Sequence, residues 1–286
     1  MKYYIVDVFA ERKYTGNQLA VFPEVGDISA ADMQKIAQEM HFSETTFITG
    51  YSREDGYDVR IFTPQEEIPF AGHPTLGTAY IINEHLNDVP QSNIRLNMKV
   101  GTIPVTYNQE AATYWMRQNA PSFGEIYPRD ELVKLLEIAE DDIDEGYPVQ
   151  LVSTGLPFII VPLRSLDAVK HCHLYHHRES KIPANRRAVL MFSRETYLQE
   201  NDLNCRVFAN AYGVAEDAAT GSANGCLAAY LAKYEYFGSP VVDVRVEQGY
   251  EMQRPSLLEL RTTLESDQIV VHVGGQVIPV AEGVLH

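Results

Sequence analysis

The chain repeats itself, and that repeat constrains its fold more than any other feature. Thr15-Gly16 leads into the apolar run Leu19-Ala20-Val21-Phe22, and Thr154-Gly155 leads into Phe158-Ile159-Ile160-Val161. Arg60-Ile61-Phe62 is followed by a loop, then Ala71-Gly72-His73 and an apolar segment through Ala79-Tyr80. Arg206-Val207-Phe208 is followed by a loop, then Thr220-Gly221-Ser222 and an apolar segment through Ala229-Tyr230. Twelve residues separate Arg60 from Gly72, and fifteen separate Arg206 from Gly221. Each half therefore reads strand, loop, glycine, polar residue, apolar helix. Echoes this short also arise by chance in β-rich chains, so the repeat is an expectation. The 286 residues have room for two such units.

Strand patterns dominate the rest. Residues 3–9, 57–62, 94–100, 113–118 and 242–246 alternate in polarity or carry β-branched and aromatic side chains. Thr15-Gly16-Asn17 and Gly274-Gly275 read as turns, and 119–124 (NAPSFG) as a linker. A helix is expected over 29–40, with Ser29 as N-cap, Asp32 at N3 and an apolar stripe of Met33, Ile36, Ala37 and Met40. A second is expected over 128–139, with Leu132, Leu135, Leu136 and Ala139 at the same spacing. The reading is α+β, with domains over 1–118 and 119–275.

Composition limits the function. Lys and Arg total 23 against 39 Asp and Glu, a net charge of −16. That balance argues against nucleic acid and anionic membrane surfaces as partners, but not against a small anion in a local cationic pocket. Three scattered cysteines without a CxxC pair do not make a disulfide framework and suit a reducing compartment. Asp7 interrupts the apolar N-terminal stretch, so no signal peptide is expected, and no segment is long and apolar enough to span a bilayer. The expectation is a cytoplasmic protein.

Chemistry is most plausible at the two loop–helix junctions. Pro74 suits the first helical position of a helix reaching Leu86, whose apolar residues on most faces suggest burial in a core. Ser222 is expected to cap the second helix, which carries Leu227, Tyr230, Leu231 and Tyr234 as a stripe. A helix N-terminus preceded by glycine offers backbone N–H groups and a positive dipole end to a carboxylate or phosphate. Plain capping explains such ends equally well. Nearby stand His73, able to donate or accept near neutral pH, and Asp217, five residues before Ser222. On the bare pattern Glu44 is a surface carboxylate where a helix has ended and a strand begins.

Familiar sites are missing. The sequence holds no GxxxxGK[ST] and no GxGxxG, and Thr220 breaks a G-x-S-x-G pattern at Ser222. The tract 171–177 (HCHLYHH) has imidazoles at spacings that do not share one helix face, and it contains no carboxylate. It reads as a solvated segment rather than a metal site.

With these residues together, the sequence resembles the PhzF family of phenazine-biosynthesis-like isomerases, relatives of diaminopimelate epimerase and proline racemase. The resemblance runs through Thr15-Gly16-Asn17, Ser43-Glu44-Thr45, Arg60-Ile61-Phe62-Thr63-Pro64, Pro69 to Gly77 (PFAGHPTLG), Glu216 to Ala223 (EDAATGSA), Glu247-Gln248-Gly249 and Arg254-Pro255-Ser256. It implies two similar domains, each a curved, mostly antiparallel sheet wrapped around a central helix, with the active site between them. It also implies a last strand, about 276–286, returning to the first domain, and often a homodimer. Racemases of this fold use one thiol from each half. Ala71 and Ala218 stand at those positions here, so two-thiol racemisation is excluded. Cys226 lies farther along the second helix and reads as core. Ala218 stands where many relatives have Pro, and Gln253 where many have Gly.

The resemblance implies a cofactor-independent isomerase acting on a small, carboxylate-bearing substrate. Glu44 matches the family's single acid/base carboxylate, more effective if burial raises its pKa. His73 and Asp217 would hold an amino or hydroxyl group and relay protons. Ser222, with Gly72, Thr220, Gly221 and Gly249, would bind the substrate and steady enolate-like charge. No metal or organic cofactor is called for. The competing expectation is a small-molecule-binding protein on the same scaffold without turnover.

Overall fold

The computed structural model describes residues 1–174, 182–183, 188–212 and 214–286. The chain divides into two compact units. One comprises Met1–Arg117 and Gly274–His286, and the other Gln118–Val273.

The first unit contains β1 (Lys2–Val8), β2 (Asn17–Phe22), α1 (Ala30–Met40), β3 (Glu44–Ser52), β4 (Gly56–Phe62), β5 (Glu67–Ile68), α2 (Gly72–Ile81), β6 (Asn93–Met98), β7 (Gly101–Asn108) and β8 (Thr113–Arg117). Its ladders run β1–β2 antiparallel, β2–β3 parallel, β3–β4 and β4–β5 antiparallel, β4–β6 parallel and β6–β7 antiparallel. The second unit contains β9 (Ser122–Ile126), α3 (Arg129–Leu136), β10 (Gln150–Ser153), β11 (Pro157–Pro162), α4 (Leu166–His171), β12 (Ala188–Ser193), β13 (Leu203–Ala209), β14 (Val214–Asp217), α5 (Gly221–Lys233), β15 (Asp243–Gln248) and β16 (Ser256–Glu265). Its ladders follow the same order: β10–β11 antiparallel, β11–β12 parallel, β12–β13 and β13–β14 antiparallel, β13–β15 parallel, β15–β16 antiparallel. The echo in the sequence is therefore a repeated supersecondary unit. The last strand, β17 (Gln268–Val284), pairs antiparallel with β1 from Val277 onward.

Burial explains the apolar runs. In the first unit α2 packs against β1, β2, β3, β6, β7 and β8, so the sheet curves around it. Every residue of α2 from Gly72 to Ala79 is buried, which is why the segment is apolar on most faces. Gly77 lets the helix approach the sheet, because a Cβ there would lie 2.6 Å from Leu19 Cδ2. On the other side of β2 and β3, α1 covers Ala20, Phe22, Phe47 and Phe62 with Met33 and Ala37. With helices on both faces, Leu19 to Phe22 must all be apolar. In the second unit α5 plays the part of α2, packing on β10, β11 and β16, with Ala223 to Tyr230 buried throughout.

One device recurs beneath each loop–helix junction. The Arg60 guanidinium lies 5.2 Å from the Phe62 ring and binds both oxygens of Glu67, at 2.9 and 2.8 Å. The Arg206 guanidinium lies 5.0 Å from the Phe208 ring and binds both oxygens of Glu216, at 2.8 and 3.0 Å. Glu67 stands five residues before Gly72, and Glu216 five before Gly221. The three extra residues of the second half thus lie between arginine and glutamate, and the run from glutamate to helix has the same length in both units. A planar, bidentate pair of this kind fixes both the distance and the angle between the strand and the loop that delivers the helix.

Several local expectations change. Gly274-Gly275 do not turn; they lie within β17, and a Cβ on Gly274 would sit 2.3 Å from the Trp115 indole. The hairpin turn is at Ser266-Asp267, where both φ are positive (49° and 63°). Residues 122–124 of the expected linker belong to β9, which pairs with β10. The 128–139 helix stops at Leu136, because Glu137 turns left-handed at φ 55°. The helix expected to reach Leu86 is α-helical to Ile81 and ends in a π-turn over Ile82–Leu86.

Candidate active site

In the first unit the junction brings two of the expected residues together. α1 ends at His41 in a left-handed cap (φ 57°), and Glu44 opens β3 opposite Leu19 of β2. α2 begins at Gly72 after Ala71 in extended conformation, and no side chain caps it. Pro74 is therefore the third helical residue rather than the first. The position is tolerated because first-turn amides have no partner within the helix. His73, in the first turn, is 5% exposed, and its Nε2 lies 3.5 Å from Glu44 Oε2.

That contact is not an ion pair. Burial pushes the His73 pKa down to about 3, opposed in part by a hydrogen bond to the Gln18 backbone. A backbone partner that favours the protonated ring must be the carbonyl. With Nε2 facing Glu44, Nδ1 is left to donate to it. The ring is thus neutral, with a proton on Nδ1 and a lone pair on Nε2. A neutral imidazole can still donate and accept near neutral pH, each from a different nitrogen.

The same register shows why one carboxylate stands alone. Thr45 pairs with Ala20 and Phe62, as Val189 pairs with Ile159 and Phe208. The residues before them open β3 and β12: Glu44 in the first unit and Ala188 in the second. The repeat carries no second acid at this position.

In the second unit Asp217 ends β14, and Thr220, extended at φ −117°, is the N-cap of α5. Ser222 is the second helical residue, not the cap, and is half-buried. Thr220 could cap its helix, but its hydroxyl instead donates to Asp217 Oδ2 at 2.6 Å. The helix end is left without a side-chain cap, as at α2. Gly249 has φ +79°, and a Cβ there would lie 2.5 Å from the carbonyl oxygens of both Ala218 and Arg254. It holds the loop after β15 against the loop that carries Asp217. Gln253, where many PhzF relatives have Gly, also adopts positive φ, at 57°.

Two buried residues escaped the sequence reading of roles. Gln248 touches Asp217, Thr220 and Asn224 through four hydrogen bonds of 2.8 to 3.1 Å. Glu247 accepts from the Tyr197 and Leu198 amides and from Asn201 and Asn204. Their position beside Gly249 was visible, but their partners lie tens of residues away.

The thiols stay out of this chemistry. Cys172, Cys205 and Cys226 are free and fully buried, and burial pushes the thiols of Cys172 and Cys226 up to about 12 and about 11. In the histidine tract, His171 is held by Asp167 and His173 donates its amide to the Leu136 carbonyl, while residues 175–177 lie outside the described residues.

Comparison with known proteins gives the family and the fold. The phenazine biosynthesis-like protein family matches residues 6–283. A trans-2,3-dihydro-3-hydroxyanthranilate isomerase of Pseudomonas fluorescens is 34% identical over 99% of this chain and 98% of its own length. The crystal structure of a PhzF-family phenazine biosynthesis protein from Bacillus anthracis superposes with a TM-score of 0.88 at 26% identity, covering 100% of this chain and 99% of that one. A hydroxyproline epimerase of Agrobacterium vitis shares the fold, with a TM-score of 0.58 at 11% identity over 99% of this chain and 91% of its own.

Proposed function

The chain belongs to the phenazine biosynthesis-like family and is an isomerase, and we propose that Glu44 performs its chemistry as a single acid/base. The observation that carries this reading is the Glu44–His73 contact at 3.5 Å in a buried setting. Glu44 as carboxylate removes a proton from a substrate carbon, leaving an enolate-like system. The carboxylic acid so formed donates to the lone pair on His73 Nε2. The imidazole does not take the proton, because burial resists its charging. The proton therefore stays on Glu44 and is returned to another carbon of the same substrate. One proton leaves and one arrives, so the sequence balances without a co-reactant.

The remaining groups are assigned by charge. Ser222 and the first-turn amides of α5, with its dipole, suit a carboxylate. Asp217 suits an amino or hydroxyl group. Gly72 and Gly221 open α2 and α5, neither of which has a side-chain cap, and Thr220 and Gly249 hold the loops in place. The substrate is a small carboxylate-bearing molecule, and trans-2,3-dihydro-3-hydroxyanthranilate, named for a relative, is the first probe.

The test is isomerisation in heavy water, read by deuterium on carbon. Wild-type protein should incorporate it, and Glu44→Gln should lose about 10²–10⁴-fold in rate, the usual worth of a positioned acid/base. Incorporation at the wild-type rate in Glu44→Gln would overturn the assignment.

A further inference from the structure

We propose that Gln248 is a positioning residue that sets the polarity of the hydrogen bonds reaching Asp217. The inference rests on the reading of Asp217 as a substrate-binding group. Gln248 is fully buried at the end of β15. Its Oε1 lies 3.1 Å from the Thr220 backbone nitrogen, which can only donate. Its Nε2 lies 2.8 Å from the Asp217 carbonyl oxygen, which can only accept. Backbone groups at both ends thus forbid the flipped amide. Asn224 Nδ2 confirms the orientation. It donates to Gln248 Oε1 at 2.9 Å and to the Thr220 carbonyl at 3.1 Å.

The consequence passes to the next group. Gln248 Nε2 also lies 3.0 Å from Thr220 Oγ1. Because Nε2 only donates, the hydroxyl must accept there and spend its one proton elsewhere. The partner is Asp217 Oδ2, at 2.6 Å. Short O–H···O distances of this kind mark a charge-assisted bond to a carboxylate oxygen. The chain therefore runs in one direction, Gln248 to Thr220 to Asp217, and Oδ2 is kept an acceptor. An aspartate held this way receives hydrogen bonds from a substrate, which selects an amino or hydroxyl group over a carbonyl. The same amide fastens both ends of the loop from Asp217 to Thr220, so it also fixes where the carboxylate stands.

The experiment reads the Asp217 carboxyl directly, so it needs no substrate and stands apart from the Glu44 test. The 13Cγ resonance of Asp217 is measured at one fixed pH in wild type, Thr220→Ser, Thr220→Val, Gln248→Met and the Thr220→Val/Gln248→Met double variant. Thr220→Ser keeps the donor and should leave the resonance in place. Thr220→Val should displace it, and Gln248→Met should displace it in the same direction. The double variant should shift by less than the sum of the two single shifts, because part of the Gln248 effect passes through the hydroxyl. Gln248→Leu, of similar size without donor, acceptor or charge, is the second probe and should displace the resonance in the same direction as Gln248→Met. An unmoved Asp217 signal in a folded Gln248 variant, or additive shifts in the double variant, overturns the proposal. Failure of both Gln248 variants to fold would make the residue purely structural and also overturn it.

Discussion

Two glycines of the second unit share one backbone conformation but differ in their surroundings, and that contrast gives a quantitative test. Gly249 has φ +79° and Gly238 has φ +78°. Alanine in the left-handed region costs about 1–2 kcal/mol, offset by about 0.4–1 kcal/mol from a stiffer unfolded chain. At Gly238 nothing lies within 4 Å of the new Cβ, so that balance is the whole effect. Gly238→Ala should therefore lose about 1 kcal/mol or less. At Gly249 the Cβ meets two backbone oxygens at 2.5 Å, those of Ala218 and Arg254. Backbone cannot rotate away as a side-chain tip can, so an overpacking cost of about 1–3 kcal/mol adds to the first. Gly249→Ala should fall about 2 kcal/mol below Gly238→Ala in urea unfolding followed by far-UV circular dichroism, with m unchanged. It should also slow deuterium incorporation, since the displaced Ala218 carbonyl adjoins Asp217, whereas Gly238→Ala should not. Equal losses in the two variants would refute the claim that Gly249 is required by close approach rather than by φ alone.

Four further outcomes follow from the structure. His73 is neutral when folded, with its pKa near 3 against 6.5 when free, so the unfolded chain binds the extra proton between those values. The associated stability is present above about pH 6.5 and is lost towards pH 3 at up to about 1.4 kcal/mol per pH unit, and His73→Asn should flatten this slope in urea titrations at stepped pH. Arg206→Ala should cost about 3–5 kcal/mol, because it strands Glu216 and three carbonyls at the end of α4; Arg60→Ala, at a more exposed pair, should cost clearly less by the same assay. Gln253→Gly should raise the urea midpoint, by about 0.5–1 kcal/mol of stability, by relieving a left-handed glutamine. Cys226 should resist iodoacetamide at pH 8 until the chain unfolds, as its thiol is buried and its pKa pushed up to about 11.

Local features were the most legible in the sequence. Ser29 accepts from the Asp32 amide at 3.1 Å, as expected from a cap three residues away. The echo of Arg60 and Arg206 was visible as spacing, but the glutamates that give it meaning were not, because no periodicity marks Glu67 or Glu216. The cap of α5 was misplaced by two residues: Ser222 has the right chemistry, and only the structure shows that Asp217 engages the Thr220 hydroxyl. Gly274-Gly275 reads as a turn until Trp115 is seen occupying the space beside it.

The sequence alone pointed to two copies of one strand–loop–helix unit, to a first junction helix apolar on most faces and so buried in a core, and to the absence of a thiol pair at the junctions. Those are properties of composition and spacing along one chain. The tertiary structure decided which tautomer His73 holds, which way the Gln248 amide points and therefore what Asp217 can receive. Such choices depend on donors and acceptors brought within 3 Å from distant parts of the chain. A hydrogen bond has direction only once both partners are in place, and no spacing in the sequence carries that direction.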